Sequence, residues 1–252
     1  MTKKVFITGA TSGFGRATAE IFARHGHDCI ITGRREERLN ELQKELEQKF
    51  NVAIFTLCFD VRNKEEVVNA ISTLPQEWNE IDILINNAGL ALGRDYFDEA
   101  DMDDWETMLD TNVKGLLYVS KALLPSMTKR NSGHIINIGS TAAKEVYEKG
   151  NVYCASKAAV DAISQSMRID LLRHGIRVTA IHPGAAETEF SRVRFKGDEE
   201  TAKSVYKGFK PLVAEDVASV IYYCTTLPEH MCINDLVLTC AAQANSFYFH
   251  RQ

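Results

Sequence analysis

No stretch of the 252-residue chain approaches the roughly 18 consecutive apolar residues that a membrane-crossing helix needs. Met1-Thr2-Lys3-Lys4 is followed by an apolar run only a strand long, so no secretory leader is expected either. The cysteines, Cys29, Cys58, Cys154, Cys224, Cys232 and Cys240, include no C-x-x-C pair. Several lie inside apolar runs, which suits reduced core thiols of a cytoplasmic protein and speaks against a metal site, so none is expected. Basic excess is lacking too. A net charge of -5 gives no electrostatic case for nucleic acid or an anionic membrane surface as partner. No low-complexity linker or internal repeat divides the sequence, and residues 1–252 read as a single domain.

What is present is an unbroken alternation of strand and helix patterns. Apolar runs suited to buried parallel strands fall at 5–8, 29–32, 52–59, 83–85, 134–138, 178–181 and 236–239. Helical stretches lie between them at 35–49, 63–73, 105–129, 152–173 and 214–226. This βαβ order predicts an α/β, Rossmann-type, doubly wound parallel sheet with helices on both faces. The polar, basic segment 188–210 fits the alternation poorly. As an insertion after a strand it reads as a substrate lid or as an ordinary surface loop.

Gly9-Ala10-Thr11-Ser12-Gly13-Phe14-Gly15 follows the first apolar run and leads straight into a helical pattern. Unpaired N–H groups of a helix's first turn, with the helix dipole behind them, suit a phosphate, and glycine lets the backbone approach it closely. The spacing is G-x-x-x-G-x-G and no Gly-Lys-Ser/Thr follows, which disfavours a P-loop NTPase. Taken alone, the segment also reads as a tight turn that binds nothing. After the second strand, where an NAD site usually places Asp or Glu, the chain has Thr32-Gly33-Arg34-Arg35. Two cations at a helix start are locally unfavourable, and a 2′-phosphate offsets that cost, so NADP is expected. The alternative pairs Arg34 and Arg35 with Glu36 and Glu37, or leaves them solvated.

Tyr153-Cys154-Ala155-Ser156-Lys157 carries the chemistry. Residues four apart share a helix face, and a nearby ammonium, helped by nicotinamide positive charge, stabilises phenolate and lowers a value that starts near 10. Ser140 ends the fifth strand pattern, at the sheet's carboxyl edge.

With these residues in place the sequence resembles the short-chain dehydrogenase/reductase family over almost its whole length. Thr8-Gly9 through Gly15 looks like the family's cofactor turn, and Asn86-Asn87-Ala88-Gly89 like its fourth-strand signature. Asn112, Ser140, Tyr153 and Lys157 match its catalytic tetrad, and Pro183-Gly184 its cofactor contact after a strand. Within the family the chain is similar to the NADP-dependent 3-hydroxy acid (serine or allo-threonine) dehydrogenases. Supporting stretches are Thr32–Arg35, Leu84–Gly93, Asp104–Asn112, His134–Thr141, Gly150–Tyr153, Thr188–Gly197 and His250–Gln252.

The resemblance implies a seven-stranded sheet, a homotetramer and hydride transfer between NADP and a small 3-hydroxy acid. Tyr153 is then the acid–base group, Ser140 the donor to the substrate oxygen, and Lys157 the partner of Tyr153 and of the nicotinamide ribose. Asn112 anchors a water that relays protons to the lysine. Asp60 and Val61 contact adenine, Asn87 the adenosine ribose, and Ala88, Gly89 and Thr188 also belong to the cofactor site. Two segments depart from the subgroup: Ala143-Lys144-Glu145-Val146 beside Ser140, and the shorter loop Gly184–Thr188. Both border the substrate pocket.

A substrate carboxylate needs a cation when the pocket closes. Arg194 and then Arg192, in the 188–210 lid, are the candidates, with solvated lid charges as the alternative. A reductase for 3-oxoacyl thioesters or general ketones shares every cofactor and catalytic residue. A non-enzymatic nucleotide sensor on this fold typically loses the Tyr or the Lys, and both are present.

Overall fold

Val5 and Ile7 bury their side chains on one face of the first strand and Phe6 on the other, so the run is apolar on both sides of a sheet. The computed structural model describes residues 2–252 and extends that pattern through seven strands. They are β1 (Lys4–Ile7), β2 (Asp28–Gly33), β3 (Ile54–Cys58), β4 (Ile83–Asn86), β5 (Gly133–Ile138), β6 (Ile176–Pro183) and β7 (Asp235–Leu238). All pairings are parallel, in the order β3-β2-β1-β4-β5-β6-β7.

Because β1 is flanked by β2 on one side and β4 on the other, successive crossovers leave it in opposite directions. The crevice at this reversal, beyond the carboxyl ends of the strands, is where α/β sheets bind ligands. Helices α1 (Gly13–Arg24), α2 (Glu36–Phe50) and α9 (Ala214–Thr226) cover one face, through Phe22, Leu39, Leu42, Val217 and Ile221. Helices α3 (Lys64–Ser72), α5 (Leu116–Arg130) and α6 (Asn151–Leu171) cover the other, through Val67, Val119, Leu123 and the flanking Met167.

The helix expected over 105–129 is compound. An α-helix α4 (Met102–Leu109) runs into a single π-helical turn (Asp110–Gly115) before α5 resumes. The turn falls on Asn112, a poor helix former whose side chain is drawn off to other partners. The 188–210 segment holds two short helices, α7 (Glu189–Arg194) and α8 (Glu199–Ser204), capped by Thr188 and Asp198. Isolated helices of six residues are marginal in water, so packing over the strand ends sustains them.

Candidate active site

The turn after β1 is shaped by two left-handed glycines, Gly9 at φ 66° and Gly13 at φ 52°. Gly15 plays a different part. A Cβ there would strike the Gly9 carbonyl oxygen and the Asn87 amide, so Gly15 lets α1 close on the turn and does not itself line the cleft. Thr8 ties the turn to β4: its hydroxyl accepts from the backbone N–H of Asn87 and of Ala88, each at 2.9 Å. The Asn87 amide in turn donates to the Thr8 and Gly9 carbonyls, at 2.8 and 3.2 Å. Ser12 caps α1 with no side-chain hydrogen bond, which leaves the first-turn N–H groups available to an anion.

A cleft of about 310 Å³ runs from this turn across the sheet edge. Thr11, Ser12, Gly13, Phe14, Arg34, Arg35, Asp60, Val61, Asn87, Ala88, Gly89 and Thr188 line it, with Tyr153 and Lys157 at its inner end. Arg34 and Arg35 turn away from Glu36 and Glu37. Arg34 pairs with Asp60 at 3.6 Å, and Arg35 donates to Thr11 Oγ1 at 2.8 Å and to Ser12 Oγ at 3.3 Å. Both guanidiniums stay largely exposed, so these contacts are weak and open to replacement by a stronger anion. Glu189 on α7 bridges Arg35 (3.5 Å) and Arg38 (3.2 Å), which joins the 188–210 segment to α2. Sequence reasoning missed Arg38 and Glu189, because a pairing 151 residues apart leaves no local signal.

A second cavity of about 250 Å³ adjoins the first and shares Phe14, Gly139, Tyr153, Thr188 and Phe190 with it. Ser140, Pro183, Gly184 and Arg194 open here, along with Gln243, Ser246 and Phe249 of the C-terminal tail. In the sequence, His250–Gln252 counts only towards the resemblance, and the tail is given no place at the site. Gln243 accepts from the Ala185 N–H at 2.8 Å, and a Cβ at Gly184 would collide with it, so a glycine is required there.

Arg194 reaches the cavity from α7. Its Nε donates to the Gly93 carbonyl (3.2 Å) and its Nη1 to the Tyr147 hydroxyl (2.9 Å). The guanidinium stands 5.5 Å from the centre of the Tyr153 ring and 5.6 Å from that of Tyr147. Arg192 does not come to the site. It is exposed, faces Glu199 at 4.0 Å and lines neither cavity. Two residues apart on a helix point about 200° apart, so only one of the pair can face inward.

Tyr153, one turn before Lys157 on α6, is buried, with Ser140 among the groups that act on its phenol. The expected lowering of its phenol is not what this arrangement gives. Burial pushes the value above the ordinary range, and hydrogen bonding to Ser140 and the Arg194 cation offset only part of that. Lys157 does not act on it here, because its Nζ donates to the Ile138 carbonyl at 2.9 Å. Burial brings the lysine itself down to about 8.

Asn112 is buried away from both cavities. Its side chain accepts from Leu90 N–H and donates to the Leu90 carbonyl, each at 2.8 Å, and donates to Ser156 Oγ at 3.0 Å. A Cβ on Gly89 would stand 3.2 Å from Asn112 Oδ1 and 3.4 Å from Lys157 Nζ, so the two groups flank one glycine.

Residues 3–199 match the model of the short chain dehydrogenase family. The chain belongs to that family. It is 48% identical over 250 residues to the NADP-dependent 3-hydroxy acid dehydrogenase YdfG of Escherichia coli strain K12, covering 98% of this chain and 99% of that protein. It is 46% identical over 249 residues to sulfoacetaldehyde reductase 2 of Chromohalobacter salexigens, covering 98% of each. Among solved structures, the closed form of a serine dehydrogenase complexed with NADP+ superposes with a TM-score of 0.92 at 48% identity, over 99% of this chain and all of that one.

Proposed function

We propose that this short-chain dehydrogenase is an NADP-dependent oxidoreductase for small 3-hydroxy acids and the matching 3-oxo acids or semialdehydes. The observation that carries the substrate class is Arg194, a guanidinium 5.5 Å from the Tyr153 ring in the cavity that Ser140 opens into. The cradle fits a dinucleotide phosphate. It has a helix N-terminus with uncommitted N–H groups, a turn that a Cβ at Gly9 would crowd against Ala88, and Arg34 and Arg35 where a 2′-phosphate would lie. A bound nicotinamide supplies or accepts the hydride.

The chain's own residues do the rest. Ser140 holds the substrate oxygen by hydrogen bonding and stabilises charge that develops there. Tyr153 moves the proton at that oxygen. In the present arrangement its phenol keeps the proton, the form that donates to a carbonyl in reduction. Oxidation uses the phenolate, which the Lys157 ammonium stabilises once it leaves the Ile138 carbonyl. Asn112 braces α6 beneath both through Ser156, and the water relay assigned to its position in the family is part of this proposal. Arg194, backed by Tyr147, takes the carboxylate, and a sulfonate suits the same fork.

We place the enzyme in the cytoplasm as a homotetramer. The family resemblance supports the assembly, as do Ile169 and Leu172, exposed side by side at the end of α6. Light scattering on the purified protein measures that.

NADP(H)-coupled assays on 3-hydroxypropionate, serine and allo-threonine, with sulfoacetaldehyde, 3-oxoacyl thioesters and uncharged ketones alongside, test the function. Turnover of a thioester or a neutral ketone above that of every small anionic substrate refutes the substrate class.

A further inference from the structure

Four segments converge behind Ser140. His182, one residue before Pro183-Gly184 on β6, is fully buried, and its ring fills the space that a Cβ on Gly139 would need. Its Nδ1 lies 3.3 Å from the Ser140 backbone nitrogen and 3.2 Å from the Ser140 carbonyl oxygen. One nitrogen cannot serve both: unprotonated it accepts from the N–H, and protonated it donates to the carbonyl.

On the far side of the ring, Nε2 lies 2.9 Å from Asp235 Oδ1 on β7 and 3.7 Å from Asp161 Oδ1 on α6. The Asp235 contact is close but poorly aligned for a hydrogen bond. Lys144, in the turn after Ser140, places Nζ 2.8 Å from the second oxygen of each carboxylate. Asp161, His182 and Asp235 form a trio of metal-ligand types, and the Lys144 ammonium already bridges its two carboxylates. None of these four residues touches either cavity.

We propose that His182 is a positioning residue for Ser140: Asp235 and Asp161 keep the proton on Nε2, which leaves Nδ1 to accept the Ser140 N–H and fix the serine toward Tyr153. A lone pair on Nε2 facing a carboxylate oxygen at 2.9 Å would be repulsive, so the carboxylates select the Nε2–H tautomer. Protonating Nδ1 as well removes the acceptor of the Ser140 N–H and puts a donor against its carbonyl, which displaces the serine backbone. The charged groups facing the imidazole are Asp235 and Asp161, which favour the imidazolium, and Lys144, which opposes it. Burial acts most strongly and Lys144 adds to it; together they outweigh the carboxylates and the Ser140 carbonyl and hold the imidazole below its ordinary range. Ser140 is thus set for catalysis at neutral pH and released on acidification.

The inference rests on Ser140 having the role proposed above, and the test separates the two. Spectra of the wild-type enzyme labelled with ¹⁵N-histidine report the tautomer without any turnover, and the Nε2–H form is expected at pH 7.5. The kcat–pH profile of the wild type should show an acid limb. Asp235→Asn should move that limb to lower pH and Lys144→Met to higher pH, each by about half a unit. General loosening of the fold has no reason to move it in opposite directions. His182→Phe keeps the ring and removes both nitrogens. It should lower kcat about 10- to 100-fold while KM and NADP affinity stay within about twofold. An Nδ1–H tautomer, a limb that is missing or moves the same way in both variants, or a His182→Phe enzyme with kcat near wild type overturns the proposal. If the tautomer is Nε2–H and the limb shifts as expected on any carbonyl substrate, the inference stands even where the 3-hydroxy acid assignment fails.

Discussion

Replacing Arg194 by Met separates a carboxylate clamp from a lid prop. Met keeps much of the unbranched stem that lies along Tyr147 and Tyr153, so the shape is disturbed little while the charge is lost. The guanidinium already spends Nε on Gly93 and Nη1 on Tyr147, and it is partly exposed. A fully buried charge pair costs ~2–5 kcal/mol to break; partial exposure discounts this to about 1.5–3 kcal/mol. At about 1.4 kcal/mol per tenfold, kcat/KM for a 3-hydroxy acid should fall roughly 10- to 150-fold. An uncharged alcohol of similar size should lose no more than about fivefold, the share due to ring packing. Arg194→Lys restores charge without the fork and should lie between the two. Arg192→Met, on the solvent side, serves as the control and should stay within about twofold of wild type on both substrates. The readout is the ratio of kcat/KM values, acid over neutral, measured with NADP saturating. Equal losses on both substrates mean that Arg194 only holds α7 to Gly93, and the substrate class then loses its support.

Tyr153→Phe removes one hydroxyl and leaves the ring packed on Phe190, so melting temperature and NADP affinity should hold while kcat drops ~10²–10⁴-fold; a variant above half of wild-type kcat excludes the proton role. Arg34→Ala with Arg35→Ala should weaken NADP at least about tenfold by direct titration and NAD no more than about threefold; parallel losses make the arginines structural. Gly15→Ala drives a methyl into the Gly9 carbonyl and the Asn87 amide and should cost about 1–3 kcal/mol in denaturant unfolding; an unchanged midpoint contradicts the close approach. His134 is buried against Thr179 at 2.8 Å, and burial brings its value down to about 3 from an unfolded 6.5. The unfolded chain therefore binds the proton first, and stability is lost as pH falls from about 6.5 towards 3, by about 2 kcal/mol at pH 5. His134→Gln should flatten that part of the stability–pH curve, and an unchanged slope assigns it to other groups.

The strands, the major helices and the cofactor cradle were legible because they are written in local pattern. Val5–Ile7 is apolar on both faces and is followed at once by glycines, and a seven-fold alternation of that kind leaves few parallel topologies. Tyr153 and Lys157 needed only helical spacing to be placed together. The alternation and the resemblance gave the number of strands and their parallel sense, while the order β3-β2-β1-β4-β5-β6-β7 and the crevice beside β1 came from the structure.

Local pattern is silent on which partner a side chain finds across the fold. The lowering of Tyr153 was expected from Lys157 together with a nicotinamide charge; in the chain alone, burial acts the other way and the Ile138 carbonyl holds the lysine. Arg192 and Arg194 have the same chemistry in sequence, and only the seating of α7 on Gly93 turned one inward. Lys144 registered simply as an unexpected residue beside Ser140. Its ammonium gained a meaning when β7, α6 and β6 brought Asp235, Asp161 and His182 to it. Periodicity fixes which face of an element is buried, because that depends on residues a few positions apart. Charge and hydrogen-bond pairing at the site depend on distances between segments 17 to 151 residues apart along the chain, which only the packed sheet and its helices determine.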